Sequence, residues 1–160
     1  MRSTGYWLLV GWQTAEGKTS RGDLMPHDLE MALRLLLAAG LGGLVGLERE
    51  LSGKPAGYRT LMIVSVGACL FTVLSDAFGS TSDPSRVAAG VVVGVGFLGG
   101  GTIWRSEGMV AGLTTAAAIW TAAAIGLAVG IGEYVIASVA AGIVLVALRL
   151  PAHLGHKGKD

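Results

Sequence analysis

Apolar residues run along the chain in stretches of about twenty, broken by short clusters of glycine, proline and charge. That pattern is the signature of membrane-crossing helices, since a helix needs about 20 apolar residues to span a hydrocarbon layer of about 30 Å. The first stretch covers about Leu29 to Leu47, with Arg34 one turn inside its start, where a long side chain can snorkel to the interface. The second covers about Thr60 to Phe78 and the third about Val87 to Trp104. The apolar tract from Val110 to Leu150 is too long for one crossing, and Gly130, Gly132 and Glu133 offer a turn near its middle. The pattern therefore predicts an all-α, polytopic integral membrane protein with five transmembrane helices over residues 28–150, with an extension at 1–27 and a short tail at 151–160.

Orientation follows from lysine and arginine in the loops. Arg49, Lys54 and Arg59 lie between helices one and two, Arg105 follows helix three, and Arg149, Lys157 and Lys159 follow helix five. All of these share one side. Opposite them stand Arg86 and the N-terminal Arg2, Lys18, Arg21 and Arg34. The N-terminus is thus expected outside and the C-terminus in the cytoplasm. Within the extension, Tyr6 to Trp12 is apolar but lacks the basic run and small-residue cleavage site of a signal peptide. Met25 stands close before the first crossing, so initiation there would leave residues 1–24 outside the native protein, and the extension is otherwise a candidate for disorder.

Composition supports the lipid reading. The 160 residues are 52% hydrophobic and only 14% charged, against roughly 25% charged in a soluble domain. The net charge of +1, with no basic stripe, excludes a nucleic-acid surface. Cys69 is the single cysteine, so it can form neither an intrachain disulfide nor a thiolate cluster, and it reads as a small buried hydrophobe. His27, His153 and His156 all lie outside the expected crossings, and no nucleophile has a base at motif spacing, so an enzyme is not expected.

Glycine-rich GVVVGVGFLGGGTIW, residues 90–104, contains Gly94, Gly96 and Gly99 in the spacing of a dinucleotide-binding loop. The acid that should follow about 20 residues later is missing from Thr114 to Trp120. A packing face explains the glycines better: Gly90 and Gly94 are four apart, as are Gly42 and Gly46 in helix one, a spacing that lets backbones approach closely in lipid. Such faces serve contacts within one chain or between two copies, which leaves a homo-oligomer open. Gly99, Gly100 and Gly101 weaken a helix by roughly 1 kcal/mol each relative to alanine and predict a local break. Asp83 before Pro84 suits an N-cap, and Thr114 and Thr115 suit backbone or interhelical hydrogen bonds.

Three segments, GLVGLERELSGKPAGYRTLMIVSVGA (43–68), DPSRVAAGVVVGVGFLGGGTIWR (83–105) and GLTTAAAIWTAAAIGLAVGIGEY (112–134), resemble the MgtC/SapB family of bacterial membrane proteins. The resemblance covers about Leu29 to Leu150. It implies a five-helix domain in the bacterial cytoplasmic (inner) membrane and a role in magnesium homeostasis or adaptation to low Mg²⁺. Members of the family are implied to regulate other membrane machinery, including ATP synthase, more than to carry ions. Two departures stand out: only ten residues follow Leu150, where longer members carry a cytoplasmic domain, and Ala111 replaces a basic residue before GLTTAA. Activities that depend on those parts are not expected here.

Magnesium chemistry sets its own requirements. Mg²⁺ takes octahedral oxygen ligands, usually one or two carboxylates with retained waters. No acid lies near the centre of a crossing. Glu48, Glu50 and Glu107 gather on the expected cytoplasmic side, and Asp76, Asp83 and Glu133 on the other, the latter three being weak candidates for a metal. The sequence identifies no certain cofactor, and Mg²⁺ is the candidate ion. The motifs GLERE and GYR single out Glu48, Arg49 and Arg59, joined by Arg105 and Glu107, as a candidate functional cluster that senses a cation or contacts a partner. The structural alternative pairs Glu48 with Arg59 across the short loop. Two functions follow: a regulatory or homeostatic membrane protein acting through helix contacts, or a Mg²⁺ transporter.

Overall fold

A computed structural model describes residues 27–75, 83–106 and 109–150. Within them the chain forms α1 (His27–Leu51), α2 (Tyr58–Ser75), α3 (Pro84–Gly100), β1 (Trp104–Ser106), β2 (Met109–Ala111), α4 (Leu113–Gly130) and α5 (Tyr134–Arg149). By length and composition α1, α2 and α4 are long and apolar enough to cross a membrane. The apolar helices α3 and α5 are shorter, at 17 and 16 residues. Residues 1–26, Asp76, Glu107 and the tail lie outside the described residues.

Local chemistry sets the helix ends. Asp28 and Glu30 in the first turn of α1 and Arg49 in its last complement the helix dipole. After α1 the Gly53 N–H donates to Glu50 O and Lys54 N–H to Arg49 O, both near 3 Å. After α4, Gly132 and Glu133 donate to Val129 O and Ala128 O in the same way. Both are Schellman closures, which need a left-handed residue after the cap; Gly53 (φ 65°) and Gly132 (φ 91°) supply it without a Cβ penalty. The expected turn between helices four and five is thus in place. Asp83 caps α3 by accepting from Ser85 N at 2.9 Å, with Pro84 at the first helical position.

Two expectations change. The third crossing stops short of the expected Trp104: α3 ends at Gly100, inside the triple glycine where a local break is expected, and unwinds through bonds from Gly101, Thr102 and Ile103 to Phe97, Gly99 and Gly100 carbonyls. The chain is also not purely helical. A two-stranded antiparallel ribbon joins α3 to α4, with Trp104 opposite Ala111, Arg105 opposite Val110 and Ser106 opposite Met109. Three-residue strands are too short to leave a period in the sequence.

Packing centres on α4, whose buried face holds Thr115, Ala118, Ile119, Ala122, Ala123, Ile125, Gly126, Val129 and Gly130. A Cβ on Gly126 would collide with the Ser65 carbonyl of α2, and one on Gly130 would sit 2.6 Å from Thr72 Cβ. On α1, a Cβ at Gly42 would lie 2.5 Å from Ser65 Cβ and one at Gly46 2.5 Å from Tyr58 Cα. The Gly42/Gly46 face therefore packs within the chain. The Gly90/Gly94 face does not: a Cβ at either would meet nothing within 4 Å, and both line an open apolar groove of about 500 Å³ between α2 and α3. The spacing is the same, but α3 buries only Val95 and Gly99 and turns Gly90 and Gly94 outward. Gly99 does approach α4, where a Cβ would lie 3.2 Å from Ala116 O.

Gly126→Ala should therefore destabilise the protein by roughly 1–3 kcal/mol, because backbone must move to admit the methyl group. Gly90→Ala should be neutral or stabilise by up to about 1 kcal/mol, through helix propensity alone. Thermal unfolding of the two variants in one detergent measures the contrast; equal effects would refute the packing described.

Candidate functional site

The helix connections place the ends of α1 and α5 and the starts of α2 and α4 at one end of the helical unit. Glu48, Arg49, Glu50, Arg59, Arg105 and Arg149 all belong to this end. One face of the last turns of α1 is buried there, with Glu48 only 8% and Arg49 only 4% exposed. Arg49 Nη2 donates to Thr115 Oγ1 at 3.2 Å, tying α1 to the central helix. Ser52 Oγ donates to Glu48 Oε1 at 2.8 Å, one turn along the chain. Glu48 Oε2 and Arg49 Nε are buried without a hydrogen-bond partner. Such groups carry a desolvation penalty of about 1–3 kcal/mol or more, so the burial of this pair is a local cost to the fold.

The expected pair of Glu48 with Arg59 is not formed. Glu48 lies on the buried face of α1, whereas Arg59 is exposed and donates from Nε to Tyr58 Oη at 3.0 Å, its guanidinium 5.6 Å from that ring's centroid. The acid that serves α2 is Glu50, whose Oε2 accepts from Tyr58 N at 3.2 Å and satisfies an orphan donor of the first turn. Arg105 is exposed on β1, and Glu107 lies outside the described residues. The structure thus brings Glu48 and Arg49 together in the buried turn and leaves Arg59 and Arg105 on its exposed surroundings.

At the other end, the Arg34 side chain reaches the last turn of α4. Its Nη1 donates to Gly130 O at 2.6 Å, satisfying a carbonyl in the last turn of α4, and its guanidinium lies 6.0 Å from the Tyr134 ring centroid. The candidate metal acids do not converge. Asp83 is an exposed cap, Glu133 is exposed at the α4–α5 turn, and Asp76 lies outside the described residues. Among the described residues no three His, Cys, Asp or Glu side chains group as a metal site. Cys69 is free and fully buried, as expected.

Sequence reasoning missed the capping role of Glu50, the part played by Ser52 and the Arg34 latch. Ser52 carried a signal, since it stands four residues after Glu48 and shares its helix face. Arg34 and Gly130 are far apart in the chain and carried none. Thr115, suited by sequence to an interhelical hydrogen bond, makes one with Arg49.

A helical unit with apolar spans and a charged turn buried at one end defines a membrane protein, not a soluble domain. The chain belongs to the MgtC family, whose model matches residues 35–156. It is 41% identical over 130 residues to the "Putative magnesium transporter YhiD" of Escherichia coli K12, covering 76% of this chain and 60% of that protein. It is 38% identical over 131 residues to "Protein SapB" of Bacillus subtilis 168, covering 76% and 56%. To "Protein MgtC" of Salmonella typhimurium LT2 it is 44% identical over 115 residues, covering 72% and 49%. The chain thus spans about half to three-fifths of the length of these curated relatives. No solved structure matches it.

Two outcomes check the site. Thr115→Val removes the acceptor of a buried guanidinium donor and should cost about 1–3 kcal/mol; added to Arg49→Met it should cost far less, because the pair acts as a unit. A double-mutant cycle on unfolding midpoints would expose independence if there is any. Hydrogen bonds from the Ser85 side chain and backbone hold the Asp83 carboxyl below its ordinary 3.8. A depressed carboxyl stabilises the fold above its unfolded pKa and loses that contribution as pH falls through the folded value. The unfolding midpoints of wild type and Asp83→Ala should therefore differ at neutral pH and converge below pH 3.8.

Proposed function

We propose that this chain forms five crossings of the bacterial cytoplasmic membrane, with the N-terminus outside, and serves magnesium homeostasis by regulating other membrane machinery through helix contacts. The two shorter helices complete their crossings by local thinning of the bilayer, a modest cost in lipid. The observation that carries the regulatory reading is the groove between α2 and α3. It exposes Gly90 and Gly94 with open space above them and is walled by apolar side chains such as Ile63, Phe71 and Leu98. A helix of another membrane protein can approach such a face closely. A multi-subunit complex such as ATP synthase is the first partner to test, and a second copy of the chain is the other.

A second reading, transport of Mg²⁺, is favoured by the name of the Escherichia coli relative. Against it stands the core, a continuous packing of Ala38, Val45, Leu61, Ala118, Ala122 and Val129 around α4. Mg²⁺ keeps waters and wants carboxylates, and that core offers neither.

Purified, folded protein in liposomes with a magnesium-sensitive dye inside should show no saturable Mg²⁺ flux above empty liposomes. Gly94→Leu should fill the groove and reduce co-purification of the partner complex by about tenfold, the effect of 1.4 kcal/mol, with helicity unchanged. Saturable flux would replace regulation with transport.

A further inference from the structure

A pocket of about 270 Å³ opens between the last turns of α1 and α5. Its walls are leucines of both helices and Val146, and it also carries Glu48 and Arg149. Leu44, Leu47, Leu51 and Val146 are exposed, so the pocket faces the lipid flank of the helices. Arg149 stands in the last turn of α5, which on the five-crossing reading proposed above is the depth where a spanning helix meets phospholipid headgroups. The pocket therefore combines apolar walls with two opposite charges at the interface.

Among the described residues neither charge has an oppositely charged partner in the pocket. Glu48 is more than nine-tenths buried; Ser52 satisfies Oε1 and nothing satisfies Oε2. Among the described residues no carboxylate lies within salt-bridge distance of Arg149. A divalent cation fits poorly, because it would meet one carboxylate and a guanidinium where it needs oxygen ligands all round. A purely anionic headgroup would bring negative charge towards Glu48. A zwitterion answers both groups: its phosphate accepts from Arg149, its primary ammonium brings three donors to Glu48, and its acyl chains lie along the leucines.

We propose that this pocket binds a phospholipid whose headgroup joins a phosphate to a primary ammonium, as in phosphatidylethanolamine. The site stands on Glu48, Arg149 and the apolar walls and is independent of the magnesium reading. Phosphatidylcholine shares the phosphate but its methylated nitrogen has no N–H to donate, and phosphatidylglycerol shares the phosphate without a cation. These two lipids separate the contributions.

The test is native mass spectrometry of the full chain equilibrated with the three lipids carrying identical acyl chains. Wild type should retain phosphatidylethanolamine about tenfold over the other two, the worth of one charge-assisted hydrogen bond. Glu48→Gln should reduce phosphatidylethanolamine to the level of phosphatidylcholine. Arg149→Gln should weaken retention of both, and Val146→Trp should block the pocket and erase the preference. Arg149 and Val146 are exposed, so these two variants decide the matter even where Glu48→Gln does not fold. Equal retention of the three lipids by wild type, or a preference unchanged in Arg149→Gln and Val146→Trp, would overturn the proposal.

Discussion

Close approach of α2 to α4 is the constraint on which the other contacts rest. Lipid tails are as apolar as leucine, so helices in a bilayer gain little by hiding apolar surface from them, and association depends on packing contact and hydrogen bonds. Gly126 and Gly130 remove the side chains that would hold the two backbones apart, and Ser65 and Thr72 of α2 occupy the space. Ala118, Ala122 and Ala123 continue that small-residue face along α4. Gly42 and Gly46 then bring α1 against α2 by the same device. Once these backbones touch, side-chain identity elsewhere on the helices has room to vary.

The buried charges at one end are a consequence of that approach. Gly46 seats α1 directly on Gly57 and Tyr58, and the next turn, with Glu48 and Arg49, has no way out to solvent on that face. The penalty for burying them is offset in part by Thr115 and Ser52, and the remaining unsatisfied atoms keep this turn electrostatically active. Glu50, one residue on, escapes to the surface and caps α2. A single turn of helix thus holds a buried acid, a buried base and an exposed acid, each set by its rotation about the axis.

That rotation separates what could be read in the sequence from what could not. Helix existence, the α4–α5 turn at Gly132, the Asp83 cap and the family resemblance depend on local pattern or composition, and each was legible. The partners of Glu48 and Arg59 depend on which way each helix faces, and adjacency across a short loop suggested the wrong pair. The ribbon after α3 was hidden by its brevity. Gly42/Gly46 and Gly90/Gly94 make the point most sharply. The two motifs are identical in spacing, yet one is closed by α2 and the other is open. Spacing encodes the ability to pack closely; only the neighbouring backbone decides whether it is used.

Helix α3 is accordingly loosely integrated, burying only Val95 and Gly99. It meets α4 closely at Gly99, and its N-terminal half is largely exposed. Each glycine in a helix costs up to about 1 kcal/mol relative to alanine, and Gly90, Gly94 and Gly96 gain no close contact within this chain in return. A groove of this size in a bilayer does not stay empty, since its lining forfeits dispersion contacts until acyl chains or another helix fills it. Acyl chains are flexible and fill grooves of many shapes, so they do not require glycine at four-residue spacing. A second backbone at close range gains from it, and that difference is the ground for proposing a protein partner at the open face of α3 and a lipid at the charged pocket beside α5.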